Sequence, residues 1–354
     1  MPETGYLGRA ELIGGLFLLL GVRVADAYQG ISKANLDSAV VKGINLTLSE
    51  SFSEADSLFA DLCERFPNRP EGYLYRAALL QARAMTELST LDVSAFDGLL
   101  ELATERASLL ENDPSTASYA HYLIGTAYGL DGYARALRGD WLGGVKKSSA
   151  GASELEAVIA ADSTYFDAYA GVGTYYYWKS RKLEFLQWLP FVRDDRALGI
   201  RMLEACATSG KYSRFMAMSS LASISLDKQD FSNAERWSRE ALASYPGNTI
   251  FLWMLCSALD GLDRPADAAA SYRLLLIHLT AGRSPNPYNE IVCRLNLARA
   301  ELKAQEIQEA AADIRQLLKL SNIVVPADYA ERAKRKFEEA NDLLTKLSDG
   351  HEPR

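Results

Sequence analysis

Phe215 to Asn248 reads FMAMSSLASISLDKQDFSNAERWSREALASYPGN, and the stretch that follows from Thr249 repeats its pattern of small and large apolar side chains. Counted from Phe215, the residues Leu221, Ala222, Ala234, Ala241 and Pro246 stand at positions 7, 8, 20, 27 and 32 of a 34-residue unit. Counted from Thr249, the residues Leu255, Cys256, Leu259, Ala268, Tyr272 and Leu275 stand at 7, 8, 11, 20, 24 and 27. A unit from Ile291 puts Leu297, Ala298, Ala310 and Leu317 in the same register, and one from Leu36 does so with Gly43, Ala55, Phe59, Leu62 and Pro67. Small side chains at 8 and 20 let two helices of one unit, A and B, approach closely, while residues near 24 and 27 pack on the next unit. Proline at 32 stops helix B. One such pair alone leaves an apolar face in water, so neighbours must stack, and three or more pairs are needed for a stable array.

Outward from these anchors the period stretches but helical spacing persists. Residues 71–86 form a second helix A and 96–112 its helix B, with a longer loop between them. A third pair spans 118–138 and 140–161, with Ile124, Gly125 and Tyr128 at positions 7, 8 and 11; a fourth opens at 166–178 with Val172, Gly173 and Tyr176 in those places and continues at 195–209. After three regular pairs, residues 327–347 place Ala330, Ala333, Phe337, Leu344 and Leu347 on one face against a charged opposite face, as a capping helix needs. Pro285 and Pro287 enforce a loop over 280–289. The spacing resembles the tetratricopeptide repeat. It predicts an all-α, right-handed solenoid of about seven helix pairs over residues 28–348, a C-terminal cap, and a tail at 349–354.

Residues 165–247 carry a narrower resemblance. Gly171-Val-Gly173, a leucine-rich connection containing Pro190, Arg193-Asp-Asp-Arg-Ala-Leu-Gly199 and Leu203-Glu-Ala205 are similar to the family of tetratricopeptide repeat protein 39 and the mitochondrial outer-membrane inclusion-clearance protein. The resemblance implies a helical-repeat adaptor without known chemistry. This chain departs from it in having one proline in the connection where that family has a pair.

The net charge of -8, from 46 acidic against 38 basic residues, argues against a nucleic-acid partner, whose backbone is held by clustered Lys and Arg. The run Lys179, Arg181, Lys182 reads as a solvated loop. Cys63, Cys206, Cys256 and Cys293 show no C-x-x-C spacing, and Cys206 and Cys256 occupy small-residue positions of the repeat, so buried free thiols are expected. Residues 12–22 are too short an apolar run to span a bilayer, which takes about 20 residues. Two readings of residues 1–27 stand: a secretory signal cleaved after Ala27, with Arg9 before the run and Ala25-x-Ala27 after it, or an apolar first helix. The first places the protein in the periplasm or cell envelope and the second in the cytoplasm.

Helix A positions 2, 5, 9, 12 and 13 line the concave face of such an array. Position 5 of the seven pairs is Val40, Leu74, Tyr122, Ala170, Ser219, Trp253 and Leu295, which lacks the cations and asparagines of a carboxylate clamp. Tyr119, Tyr122, Tyr177, Trp178, Met216 and Trp253 offer aromatic anchors for a protein or peptide partner instead. The connection 183–192 is unusually apolar, with Phe185, Leu186, Trp188, Leu189 and Phe191; it either folds back on the solenoid or meets a membrane surface or partner.

Three histidines, none at metal-ligand spacing, no complete phosphate or dinucleotide loop and no paired carboxylates leave no catalytic, metal or cofactor residue to name. The residues favour a non-catalytic scaffold that binds an extended partner segment in its concave groove. The alternative is a membrane-peripheral module or lipid-like ligand carrier using residues 183–192.

Overall fold

The computed structural model describes residues 33–186, 188, 193–281 and 286–348, among which lie fifteen α-helices and no strand. The segment 1–27 and the tail 349–354 lie outside them. Seven helix pairs follow in order: α1 (Lys33–Leu48) with α2 (Phe52–Arg65), α3 (Glu71–Glu87) with α4 (Val93–Ser108), and α5 (Ala117–Leu137) with α6 (Trp141–Ala161). Then come α7 (Phe166–Lys182) with α8 (Arg196–Ser209), α9 (Arg214–Asp227) with α10 (Phe231–Ser244), α11 (Thr249–Gly261) with α12 (Pro265–Ala281), and α13 (Tyr288–Lys303) with α14 (Ile307–Lys319). A last helix, α15 (Ala327–Ser348), covers the open face of the seventh pair.

Each helix packs on its predecessor and successor, and from α1 to α11 each A helix also packs on the next A helix. This is an α-solenoid of tetratricopeptide-like pairs. The core is a chain of local clusters rather than one centre: Phe59 and Leu79 join the first two pairs, Leu100, Leu123 and Val172 the second to the fourth, and Leu203, Leu221 and Phe251 the fourth to the sixth. On α15, Ala333 and Ala340 are buried against Ile291, Leu295 and Ile314, with Phe337, Leu344 and Leu347 alongside. Ala330, expected on that face, is exposed, because the covered stripe runs 333, 337, 340, 344, 347.

Local chemistry sets the helix limits. Asp92, Asp140 and Asp230 cap α4, α6 and α10 by accepting from the backbone N–H three residues on. Helices α2 and α10 stop two residues before Pro67 and Pro246. The loop expected between α3 and α4 shrinks to residues 88–92, because Leu88 turns the chain at φ 47° and Asp92 restarts it. In the regular pairs the same left-handed turn falls at position 15, on Glu50, Gln229, Asp263 and Gln305. Lys179, Arg181 and Lys182 are the last turn of α7 rather than a loop, where cations complement the helix dipole and Arg181 pairs with Asp227 at 2.9 Å.

Glycine decides the third and fourth pairs. A Cβ on Gly125 would sit 2.9 Å from the Gly151 carbonyl oxygen, and Cβ atoms on Gly173 and Gly199 would each sit 2.6 Å from the other residue's carbonyl oxygen. The two helices of each pair therefore touch through bare backbone.

The array also curls onto itself. Lys211 and Tyr212, in the turn before α9, bond the Asp37 carboxylate of α1. In the turn before α11, the Tyr245 hydroxyl donates to Asn45 Oδ1 at 2.7 Å and Asn248 Nδ2 to the Leu48 carbonyl at 2.8 Å. At the start of α13, Asn286 and Asn289 donate to the carbonyls of Leu88 and Thr86, both at 3.0 Å. The first two pairs thus lie against the turns that open pairs five, six and seven.

Candidate interaction surfaces

The curl brings the expected groove residues into two different settings. Tyr119 and Tyr122, on α5, sit in a cluster with Tyr75, Tyr165 and Tyr212, with ring centroids of Tyr122 and Tyr165 5.2 Å apart. The Tyr119 hydroxyl donates to Glu71 at 3.1 Å, and the Tyr122 hydroxyl bonds that of Ser213 at 3.1 Å. Burial pushes both phenols well above the usual tyrosine range. Beside them Asp167 accepts from the backbone N–H groups of Tyr212 and Ser213 at 2.8 and 2.7 Å; burial nevertheless raises its pKa. Tyr122 is fully buried, so it is an interior residue and not a surface anchor. Sequence reasoning missed this because Tyr75 and Tyr165 come from the neighbouring A helices and Tyr212 from the turn before α9, which the curl holds against α1.

Tyr177 is likewise buried. Its hydroxyl donates to Asp227 at 2.8 Å, and burial followed by that carboxylate raises its pKa. Trp178 lies edge-on to Tyr177, with centroids 5.2 Å apart and planes at 87°. A similar arrangement, built from an A and a B helix, lies two A helices on. Trp253 lies edge-on to Tyr272 at 6.2 Å and 74°, and the buried Tyr272 donates its hydroxyl to Asp260 at 2.7 Å. Both indoles are half-buried, and Met216, on α9 between them in the order of A helices, is exposed. A buried tyrosine tied to a carboxylate packs against each indole, part of which stays exposed.

In the connection after α7, Glu184–Leu186 form one 3₁₀ turn, and Phe185 and Trp188 are exposed. Leu189, Phe191 and the Leu186 side chain fall outside what is described. Among the described residues no group of His, Cys, Asp and Glu is arranged to hold a metal, and no helix is long and apolar enough to cross a membrane. All four cysteines are free, and three of them are buried.

No protein-family model matches the chain, and neither does any curated protein. Among solved structures, the tetratricopeptide repeat domain of P58(IPK) is similar at 15% identity and a TM-score of 0.28, over 94% of this chain and 87% of that one.

Proposed function

We propose that the chain is a non-catalytic protein-interaction scaffold that holds an extended segment of a partner along its A helices, with Trp178 and Trp253 as the anchors and Met216 between them. The observation that carries this reading is the matched pair of half-buried indoles, each braced edge-on by a buried tyrosine. Aromatic side chains already held in place lose little freedom on binding, and binding energy concentrates on such residues. The solenoid supports the same class, because stacked helix pairs offer an extended surface. Within this reading residues 165–247 belong with the helical-repeat adaptors of the tetratricopeptide repeat protein 39 family, on the Gly171–Gly173 and Arg193–Gly199 motifs.

Peptides selected for binding to the purified chain from a displayed random library test it. They should lose at least about tenfold in affinity for the Trp178→Ala, Trp253→Ala double variant. Peptides that bind both proteins equally would place the binding surface elsewhere.

A further inference from the structure

The second, third and fourth pairs depart from the 34-residue period and lengthen the A helix at one end, and in the third and fourth this end carries a shared patch. Twelve residues follow Gly125 in α5 and nine follow Gly173 in α7, whereas five follow the matching small residues Ala222, Cys256 and Ala298 in α9, α11 and α13. At about 1.5 Å per residue the α5 tip extends roughly 10 Å, and the α7 tip roughly 6 Å, beyond the regular A-to-B edge. These tips carry apolar side chains that are exposed among the described residues. Leu137 ends α5, Trp141, Leu142 and Val145 share the opening turns of α6, and Phe185 and Trp188 follow α7; Leu142, Phe185 and Trp188 are 87%, 72% and 78% exposed. Lys182 Nζ lies 5.6 Å from the centre of the Trp141 ring and joins the two tips into one patch.

The patch is also basic. Residues 131–147 and 178–198 hold nine Lys and Arg against five Asp and Glu, in a chain of net charge -8. All five acids are taken by cations of the same patch: Asp131 by Arg135 and Lys147, Asp140 by Arg135, Glu184 by Arg181 and Arg196, Asp194 by Arg196, and Asp195 by Lys179. Arg138, Lys146 and Lys182 are exposed and form no ion pair among the described residues. We infer that this edge docks peripherally on an anionic lipid surface. Projecting indoles, a phenyl ring and aliphatic tips suit the headgroup boundary, where Trp is favoured. The cations without an ion pair among the described residues meet the lipid charge, and the acidic net charge of the rest of the chain favours approach by this edge. The surface is separate from the Trp253 anchor and goes beyond the scaffold reading.

Flotation of the full chain with vesicles tests it. Wild type should float with vesicles containing about one-third phosphatidylserine, at least about tenfold more tightly than with pure phosphatidylcholine, and should release as salt rises. Leu142→Glu with Val145→Glu, and separately Arg138→Glu with Lys146→Glu and Lys182→Glu, should each lower that binding about tenfold or more while the thermal midpoint stays put, because all five side chains are exposed. Trp253→Ala should float as wild type does, which separates this surface from the groove. Wild type that ignores anionic vesicles, or either multiple variant floating undiminished, overturns the inference. Wild type that sediments as a dimer and becomes a monomer in the Leu142→Glu, Val145→Glu variant also overturns it, since the edge then belongs to a second copy.

Discussion

The Asn248 side chain holds two ends of the fold at once: Oδ1 accepts from the Phe251 N–H at 3.1 Å and caps α11, while Nδ2 donates to the Leu48 carbonyl, two hundred residues away, at 2.8 Å. Glu50, two residues beyond Leu48, accepts from the Thr249 N–H and hydroxyl at 2.6 and 2.7 Å, so the same junction is closed from both sides. Asn248→Ala removes a cap worth about 0.5–2 kcal/mol and leaves the Leu48 carbonyl without its partner. Asn248→Asp keeps the capping oxygen but turns an acceptor toward that carbonyl. Both should lower urea stability, the alanine variant by about 2 kcal/mol or more, and both should enlarge the radius of gyration in small-angle scattering. An aspartate variant unchanged in both measurements would mean that the junction contributes nothing to the curl.

Bare backbone contact in the fourth pair makes a second expectation. Gly173→Ala places a methyl group 2.6 Å from the Gly199 oxygen, and separating α7 from α8 should cost about 1–3 kcal/mol or more. Gly129, in mid-α5, has nothing within 4 Å of its added Cβ, so Gly129→Ala should gain about 0.5–1 kcal/mol from helix preference alone. Denaturant unfolding of the two variants should move the midpoint in opposite directions; movement in the same direction would contradict the packing described.

The helix pairs were legible because their signals are local. Small residues at 8 and 20, Pro67 and Pro246, and the capping stripe of α15 each act within one or two turns of helix. The left-handed turn at position 15 was not legible, since Glu50, Gln229, Asp263 and Gln305 carry side chains and none is the glycine such a φ favours. Nor was the curl, because Asn45, Asn248, Asn286 and Asn289 read as ordinary loop and helix-surface polar residues until residues about 200 apart are brought together. Tyr122 is interior because the Tyr212–Ser213 turn and Tyr165 close over it. Trp178 and Trp253 kept partial exposure because their packing partners come from the same or the adjoining helix, at a separation the repeat does encode.

The left-handed turns store strain that can be released. Gln229 is exposed at φ 57° between α9 and α10, where an L side chain costs about 1–2 kcal/mol. Gln229→Gly gives back part of this through a more flexible unfolded chain, about 0.5–1 kcal/mol. A net gain of roughly 0.5–1 kcal/mol is expected in denaturant unfolding. A loss would show that the Gln229 side chain contributes contacts of its own.

Thiol chemistry reports the packing of the small-residue positions. Burial raises the Cys63 pKa to about 11 and the Cys206 pKa to about 12, and it pushes Cys256 and Cys293 further up. Little thiolate is present near neutral pH, and the thiolate is the reactive form. A disulfide reagent such as DTNB should therefore modify at most the half-exposed Cys63 in the native chain and all four cysteines in denaturant. Rapid native reaction of a second thiol would show that a repeat interface opens.

Glu301 carries the sharpest pH expectation. It is fully buried on α13; Oε1 accepts from Arg273 at 2.8 Å, and Oε2 has no hydrogen-bond partner among the described residues. Burial raises its pKa above the ordinary 4.5, with Arg273 opposing. A carboxyl raised on folding binds its proton more tightly in the native state, so its favourable contribution is complete below the unfolded pKa and is lost as pH rises through the folded value. Glu301→Gln keeps the shape, supplies an amide donor, and cannot ionise. Arg273 retains Glu306 as its ion partner. The stability of Glu301→Gln relative to wild type should therefore improve steadily from acid pH toward neutrality, read as the difference between two urea-denaturation series so that other titrating groups cancel. A difference that is flat with pH, or that shrinks as pH rises, would mean that Arg273 holds the carboxylate charged in the folded chain.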